Sequence, residues 1–265
     1  MNYRTIATLI RKNIVKMHLE TGMSHIGSSL SCVDILVALY FGIMKKKSKN
    51  FEADRFILSK GHAVSALYAV LAQKGYFSKD RLCEYCRNGA KFLGHVTRDV
   101  DLGVEVSSGS LGHGLSIGAG MALAGKRDGL KHRVFVLMGD GECNEGSVWE
   151  AFMFARHHGL DNLIAIVDMN HLQAFGKTED VIDLSPLKDR FSSFGCFCKE
   201  VNGHKIEEMI KVLKLVPFAK ARPSVLLAHT TKGKGISFME DKIEWHYRSP
   251  NFDQAKAALD ELNQI

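Results

Sequence analysis

The strongest constraint on this chain is the placing of Gly139-Asp140-Gly141 directly after the apolar run Val134–Met138. An unbroken apolar run of this length reads as a strand buried on both faces, the form that strands take in parallel sheets. Asp140 then stands at the carboxyl end of that strand, where open α/β sheets bind ligands. The flanking glycines let the backbone approach a bulky anion and take positive φ where a turn needs it. Ser147-Val148-Trp149-Glu150 has the form of a capping box and predicts a helix start near Ser147. The next apolar run, Leu163–Val167, ends in Asp168-Met169-Asn170. Two strand ends thus present Asp140 and Asn170 to one point. Their oxygens, completed by phosphate oxygens and water, suit Mg²⁺ and a diphosphate. A tight strand-to-helix turn that happens to hold an aspartate gives the same tripeptide, so the three letters alone leave both readings open.

The rest of the chain repeats this alternation. Helices are expected over 4–20, Ser31–Phe41, Ala63–Lys74, Leu111–Ala124, Val148–His157 and Ile206–Leu215. Strands are expected over Arg55–Ser59, Val134–Met138, Leu163–Val167, Cys196–Val201 and Val225–His229. Thr21–Ser29 reads as a loop, 79–101 as a helix followed by an irregular segment around Gly94-His95, and Leu172–Asp180 as a polar loop. Strands alternating with helices predict an α/β fold: an open, mostly parallel sheet with helices on both faces. Right-handed crossovers then gather the chemistry-bearing strand ends on one edge. With four prolines, no repeat and no linker composition, a single domain over 1–265 is expected.

Composition excludes several function classes. Hydrophobic residues make up 46% and charged residues 24%, ordinary for a globular protein. The net charge of +6 is mild and scattered, and its densest cluster, Lys45-Lys46-Lys47, is short enough to be a solvated loop. Nucleic acid is therefore not the expected partner; excess positive charge also suits anionic cofactors and sugar phosphates. No run approaches the roughly 20 apolar residues of a membrane helix. Ile6, Leu9, Ile10 and Met17 fall at helical spacing while Arg11, Lys12 and Lys16 interrupt any apolar segment, which is not the pattern of a signal peptide. A cytoplasmic, non-membrane protein is expected. Cys83-Glu84-Tyr85-Cys86 and Cys196-Phe197-Cys198 are two close cysteine pairs. A zinc site or a redox pair is conceivable on such spacing, but Cys-x-Cys is a poor zinc knuckle, and free thiols are the expectation.

Five histidines, His25, His62, His95, His113 and His246, stand in glycine-flanked or loop settings. Any one of them could be an ordinary surface or hydrogen-bonded core residue. Together, next to strand ends, they point to a site that needs groups able to donate, accept and titrate near neutral pH. Lys232 lies in a glycine-rich loop after the Val225–His229 strand, placed to meet a phosphate or merely solvated. Glu145 stands near a helix N-terminus, where the dipole favours an acid.

Longer stretches carry a family resemblance. Gly-Asp-Gly followed about thirty residues later by Asn is similar to the thiamine-diphosphate motif. Asp54-Arg55-Phe56-Ile57-Leu58-Ser59-Lys60-Gly61-His62-Ala63, Gly94-His95, Gly103–Gly114, Gly139–Glu150, Lys232-Gly233-Lys234-Gly235 and Glu244-Trp245-His246 resemble segments of transketolases, from about His25 to His246. The resemblance implies an N-terminal subunit of a split transketolase that moves a two-carbon ketol unit from a ketose phosphate to an aldose. It implies Asp140, Asn170 and the Leu172 carbonyl as ligands of Mg²⁺ (or Ca²⁺ or Mn²⁺ in its place). It implies Gly109, Leu111, Gly139, Gly141, Glu142, Lys232, His62 and His246 around thiamine diphosphate, with the Gly141 N–H facing the diphosphate. His25, His62, His95, Glu145 and His246 become the catalytic set, Glu145 through a carboxylate network across a dimer interface.

The same resemblance implies a separate C-terminal subunit that binds the pyrimidine, joined with this chain in an α₂β₂ assembly. Departures from the family are Ser24 and Ser28, where glycines are common, His113, where glutamine is frequent, and Tyr247, where glycine is usual. They bear on which sugar is used rather than on the cofactor, and leave room for a specialised sugar-biosynthesis transketolase. Half of another thiamine-dependent enzyme, such as the alpha chain of a 2-oxo acid dehydrogenase, is the alternative. Lys60-Gly61-His62 and Trp245-His246 speak against it.

Overall fold

The computed structural model of the chain describes residues 2–45 and 52–264. Lys46 and Lys47 of the lysine cluster lie outside the described residues. Strands β1 (Arg55–Leu58), β2 (Val134–Gly139), β3 (Leu163–Met169), β4 (Phe197–Asn202) and β5 (Ser224–His229) form one sheet in the order β1-β2-β3-β5-β4. Every pairing is parallel. The chain steps outward from β1 to β3, skips a position to lay down β4, then returns to place β5 between them. All carboxyl ends therefore open on one edge, with Gly139 opposite Asp168 and Asp168 opposite Ala228.

The apolar runs are explained by cover on both faces. Phe135, Leu137, Ile164, Ile166 and Leu226 point into one core, shared with α1 (Tyr3–Thr21), α2 (Ile26–Ser31), α3 (Val33–Val37), α4 (Val64–Lys74) and α9 (Ile206–Leu213). The alternate residues Val134, Val136, Ala165, Val167 and Val225 point into the other, under α5 (His113–Arg127), α6 (Gly146–His157) and α8 (Leu187–Ser193). A short α7 (Thr178–Val181) and a closing α10 (Phe252–Asn263) complete the chain.

Several local expectations are corrected. The Thr21–Ser29 loop is shorter than its polar sequence suggests, because α2 begins at Ile26. The single helix expected over Ser31–Phe41 is broken at Cys32, then runs as α3 into a π-helical turn, Ala38–Ile43. Only a 3-10 turn, Lys79–Glu84, forms at the start of 79–101. The capping box at Ser147 does not form. Glu145 is the N-cap of α6 without a side-chain cap bond, and the Ser147 hydroxyl instead donates to the Gly112 carbonyl at 3.0 Å. A capping box that does form, Asn251 with Gln254, opens α10, a helix outside the expected set. No helix among the described residues is long and apolar enough to cross a membrane. All six cysteines are free, with Cys83 exposed and Cys32, Cys143, Cys196 and Cys198 buried.

Candidate active site

The floor of the site is an ion pair between two strand ends. Lys60, just after β1, places its Nζ 2.5 Å from Oδ2 of Asp168 in β3, with side-chain exposures of 2% and 0%. The Ser31 and Thr230 hydroxyls also donate to Asp168, and Lys60 donates to the Ser28 carbonyl at 3.2 Å. Burial favours the neutral acid, but the Lys60 ammonium and these donors outweigh it and hold Asp168 below the usual carboxylate range. The same partner, against burial, keeps Lys60 charged. A buried charge is tolerated only when it is paired and hydrogen-bonded, as this one is.

Asp140 and Asn170 stand above this pair. Asp140 is 5% exposed and accepts the backbone N–H groups of Gly141 (2.8 Å) and His171 (2.6 Å). The Gly141 N–H, expected to face the diphosphate, is thus turned onto the Asp140 carboxylate. Asn170 accepts the Leu172 N–H at 3.1 Å and donates to Ser31 Oγ at 3.2 Å. Burial and then the neighbouring Asp168 push the Asp140 carboxyl up, so this acid lacks charge compensation. A carboxylate, an amide oxygen and the Leu172 carbonyl form an all-oxygen donor set of the sort hard divalent cations take. The Lys232 ammonium already lies 3.0 Å from the Leu172 carbonyl, so that oxygen accepts a cation in this geometry. On the chemistry of the donors and the uncompensated acid, the residues fit Mg²⁺.

Glu142 faces inward at 1% exposure. Its carboxylate accepts from the Ser59 hydroxyl and from the N–H groups of Gly112 (2.9 Å) and Gly139 (3.1 Å). It therefore braces the end of β2 against the turn into α5. Gly112 is needed there: its φ is 83°, and a Cβ would lie 2.5 Å from Ser147 Oγ. Glu145 is exposed at the N-terminus of α6, and His113 is exposed at the start of α5.

The roof is a histidine cluster. His25 has φ 77° and its N–H donates to the His246 carbonyl at 2.9 Å, which fixes two loops against each other. The His25 ring centroid is 5.3 Å from His62, 5.8 Å from His95 and 5.0 Å from His246, and His62 is 5.6 Å from His246. Lys232 Nζ lies 3.0 Å from His246 Nδ1. Burial, reinforced by neighbouring cations and histidines, lowers His25 to about 4, His246 to about 3 and His62 well below its usual value. Burial and then Lys60 bring Lys232 down to about 8. The cluster is neutral at physiological pH, so its rings can both donate and accept, beside two lysines that favour an anion.

Every residue assigned above to metal, cofactor or catalysis lines one cavity of about 370 Å³; His113 does not. Sequence reasoning gave no role to Lys60, Asp168, Ser31 or Thr230. One signal was present: an aspartate closing the apolar run Leu163–Val167, two positions before Asn170 and therefore on the same strand face, demands a buried partner.

Comparison with known proteins places this geometry. Residues 4–259 match the family model described as transketolase, thiamine diphosphate binding domain. One of the two subunits of an apulose-4-phosphate transketolase, from Phocaeicola vulgatus, is 43% identical over 96% of this chain and 91% of its own length. A 6-deoxy-6-sulfo-D-fructose transketolase subunit of a Clostridium species is 40% identical over 97% of this chain and 95% of its own length. The crystal structure of Campylobacter jejuni transketolase superposes with a TM-score of 0.90 at 28% identity, covering 99% of this chain and 43% of that one. The chain thus spans less than half of the full-length enzyme and nearly all of the relatives named as subunits. With its parallel sheet, strand-end acids and histidine roof matched along almost its whole length, the chain belongs to the transketolase family, as its thiamine diphosphate-binding part.

Proposed function

We propose that this chain is the N-terminal subunit of a two-subunit transketolase, a single diphosphate-binding domain that holds thiamine diphosphate with Mg²⁺ and works with a separate C-terminal subunit. The observation that carries this reading is the convergence of four histidine rings, 5.0–5.8 Å apart, over the strand ends that bear Asp140 and Asn170. Asp140, Asn170 and the Leu172 carbonyl would hold the cation. Lys232, His62 and His246 would meet the diphosphate oxygens, with Gly139 and Gly141 keeping the backbone low enough for it. Gly109 and Leu111 would wall the cofactor, and Glu142 would keep that wall in place from behind. When bound, thiamine diphosphate supplies the carbon chemistry of the two-carbon transfer. His25, His62 and His95 would hydrogen-bond the donor sugar's hydroxyls and carry protons to and from them. Glu145, exposed at the edge, would join a carboxylate network with a neighbouring subunit.

The partner is supported by the wording of the relatives' names, which call them subunits, and by the rim of the site. Phe175 is 85% exposed and Ile182 52%, both beside the cavity mouth, and apolar groups left in solvent there suit a docking partner. An α₂β₂ assembly in the cytoplasm follows from this reading. The donor is a ketose phosphate or a close analogue, and Tyr247 at the mouth favours a specialised sugar over ordinary pentose phosphates. Ketol transfer from a panel of ketose phosphates, measured with the chain, the partner and both together, tests it. Turnover is expected only with both. Full turnover by the isolated chain would overturn the split.

A further inference from the structure

We propose that His204, with Asp34 and Arg11, is a positioning residue for Lys232. None of the three belongs to the wall of the site. His204 sits in the turn between β4 and α9, Asp34 in α3 and Arg11 in α1. The inference rests on the reading of Lys232 as a cofactor-facing group.

The geometry starts from one backbone donor. The Thr231 N–H points at Nε2 of His204, 2.8 Å away. An amide can only donate, so Nε2 must be bare and the ring proton must sit on Nδ1. Nδ1 lies 2.8 Å from Asp34 Oδ2 and donates to it. Asp34 is 5% exposed, and the Arg11 guanidinium grips both its oxygens, at 3.0 and 2.7 Å. Burial favours the neutral acid, but Arg11 and His204 hold Asp34 below the usual carboxylate range. Two neighbours of fixed polarity thus select one tautomer of one imidazole.

The unit then closes on the same loop. Arg11 Nε donates to the Lys234 carbonyl at 3.0 Å. The residue before Lys232 and the second residue after it are therefore held by one Arg11–Asp34–His204 assembly. Thr230 and Gly233 are tied to the sheet and to α2 through Met169 and Gly27 (3.0 Å each). The fit is close: a Cβ on Gly203 would lie 2.5 Å from Thr230 Cγ2, so only glycine lets the His204 turn lie against this loop. Lys232 is 1% exposed and its Nζ meets two partners, the Leu172 carbonyl and His246 Nδ1, at 3.0 Å each. An ammonium on a four-carbon stem reaches both only if its backbone is fixed. A small displacement of a positioned group is costly to binding and turnover.

Three readouts on the purified chain test this. His204→Phe keeps the ring's bulk without donor or acceptor; His204→Gln can still donate to Asp34 and accept from Thr231. In the chain without cofactor, amide hydrogen exchange over 230–235 is expected to rise at least about tenfold in His204→Phe while the strands of the sheet keep their protection. Affinity for thiamine diphosphate with Mg²⁺, by calorimetry, is expected to fall at least tenfold, and His204→Gln should recover most of both. Unchanged exchange over 230–235, or unchanged affinity in His204→Phe, overturns the proposal. If His204→Phe does not fold, Arg11→Lys, which keeps the cation but loses the Nε donor to Lys234, takes its place with the same outcomes. If the wild-type chain itself binds no thiamine diphosphate, the cofactor reading fails, and the exchange measurement still decides whether the assembly fixes the loop.

Discussion

The Lys60 ammonium and the Asp168 carboxylate lie 2.5 Å apart beneath the Asp140–Asn170 edge, sealed from solvent on every side. Two other hydroxyls, from Ser31 and Thr230, converge on the same carboxylate. Asp168→Ala leaves a buried ammonium without its counter-ion, which costs about 3–5 kcal/mol. The variant is expected to unfold at markedly lower denaturant than wild type. A wild-type urea midpoint would mean that the pair is not what holds the floor.

Asp140→Ala should behave in the opposite way. This carboxylate has only backbone N–H partners, and Asp168 disfavours its charge, so folding gains little from it. Mg²⁺-dependent binding of thiamine diphosphate should weaken by about two to three and a half decades, matching about 3–5 kcal/mol. Near wild-type affinity on titration would remove Asp140 from the metal site.

The two aspartates also show how much could be read from the letters. Asp140 was legible because the signal is local: an apolar strand, a glycine on each side and a position at the carboxyl end. The sheet was legible for the same reason, since strands covered on both faces must be continuously apolar. Asp168 was visible as a letter but not as half of a pair, because Lys60 comes from a strand more than a hundred residues earlier. Long-range pairing of this kind depends on strand order, and the skip that puts β5 between β3 and β4 is not written locally. Ser147 failed as a cap for a related reason. Gly112, brought close by tertiary packing, offered its hydroxyl a better partner.

His62→Ala is expected to damage turnover more than folding. The ring is part of the roof, in contact with His25 and His246 rather than with either apolar core. With the partner subunit present, ketol transfer should drop by about 10²-fold or more, the usual worth of a positioned proton donor or acceptor. The thermal midpoint should shift little. A variant that melts far lower yet keeps its activity per folded molecule would make His62 structural.

The depressed histidines give the free chain an acid-side weakness. His25 and His246 titrate at about 4 and about 3 when folded, against about 6.5 when unfolded. From about pH 6.5 downward the unfolded chain therefore binds more protons than the folded one, and stability rises with pH across that window. Lowering the pH from 7.5 to 5 should reduce the urea midpoint of the free chain. The decline should be shallower when His25 and His246 are both replaced by Gln. Equal slopes for wild type and the double variant would show that the roof does not resist protonation.

Tyr247 ties the roof to the metal edge. Its hydroxyl donates to the Ala174 carbonyl at 2.8 Å, and its ring lies 5.0 Å from His246. Ala174 belongs to the short hairpin in which Leu172 bridges Lys177, so this bond spans the cavity mouth and steadies the Leu172 carbonyl. Tyr247→Phe removes one partly solvated hydrogen bond and should change stability by no more than about 1 kcal/mol. Its effect should fall on binding, raising the KM for the donor sugar while kcat stays nearly constant. Tyr247→Gly also removes the ring and opens the mouth. The ratio of kcat/KM between a bulky and a compact ketose phosphate should then move toward the bulky donor, by up to about tenfold for a lost contact of this size. An unchanged ratio in Tyr247→Gly would show that the mouth does not select the sugar.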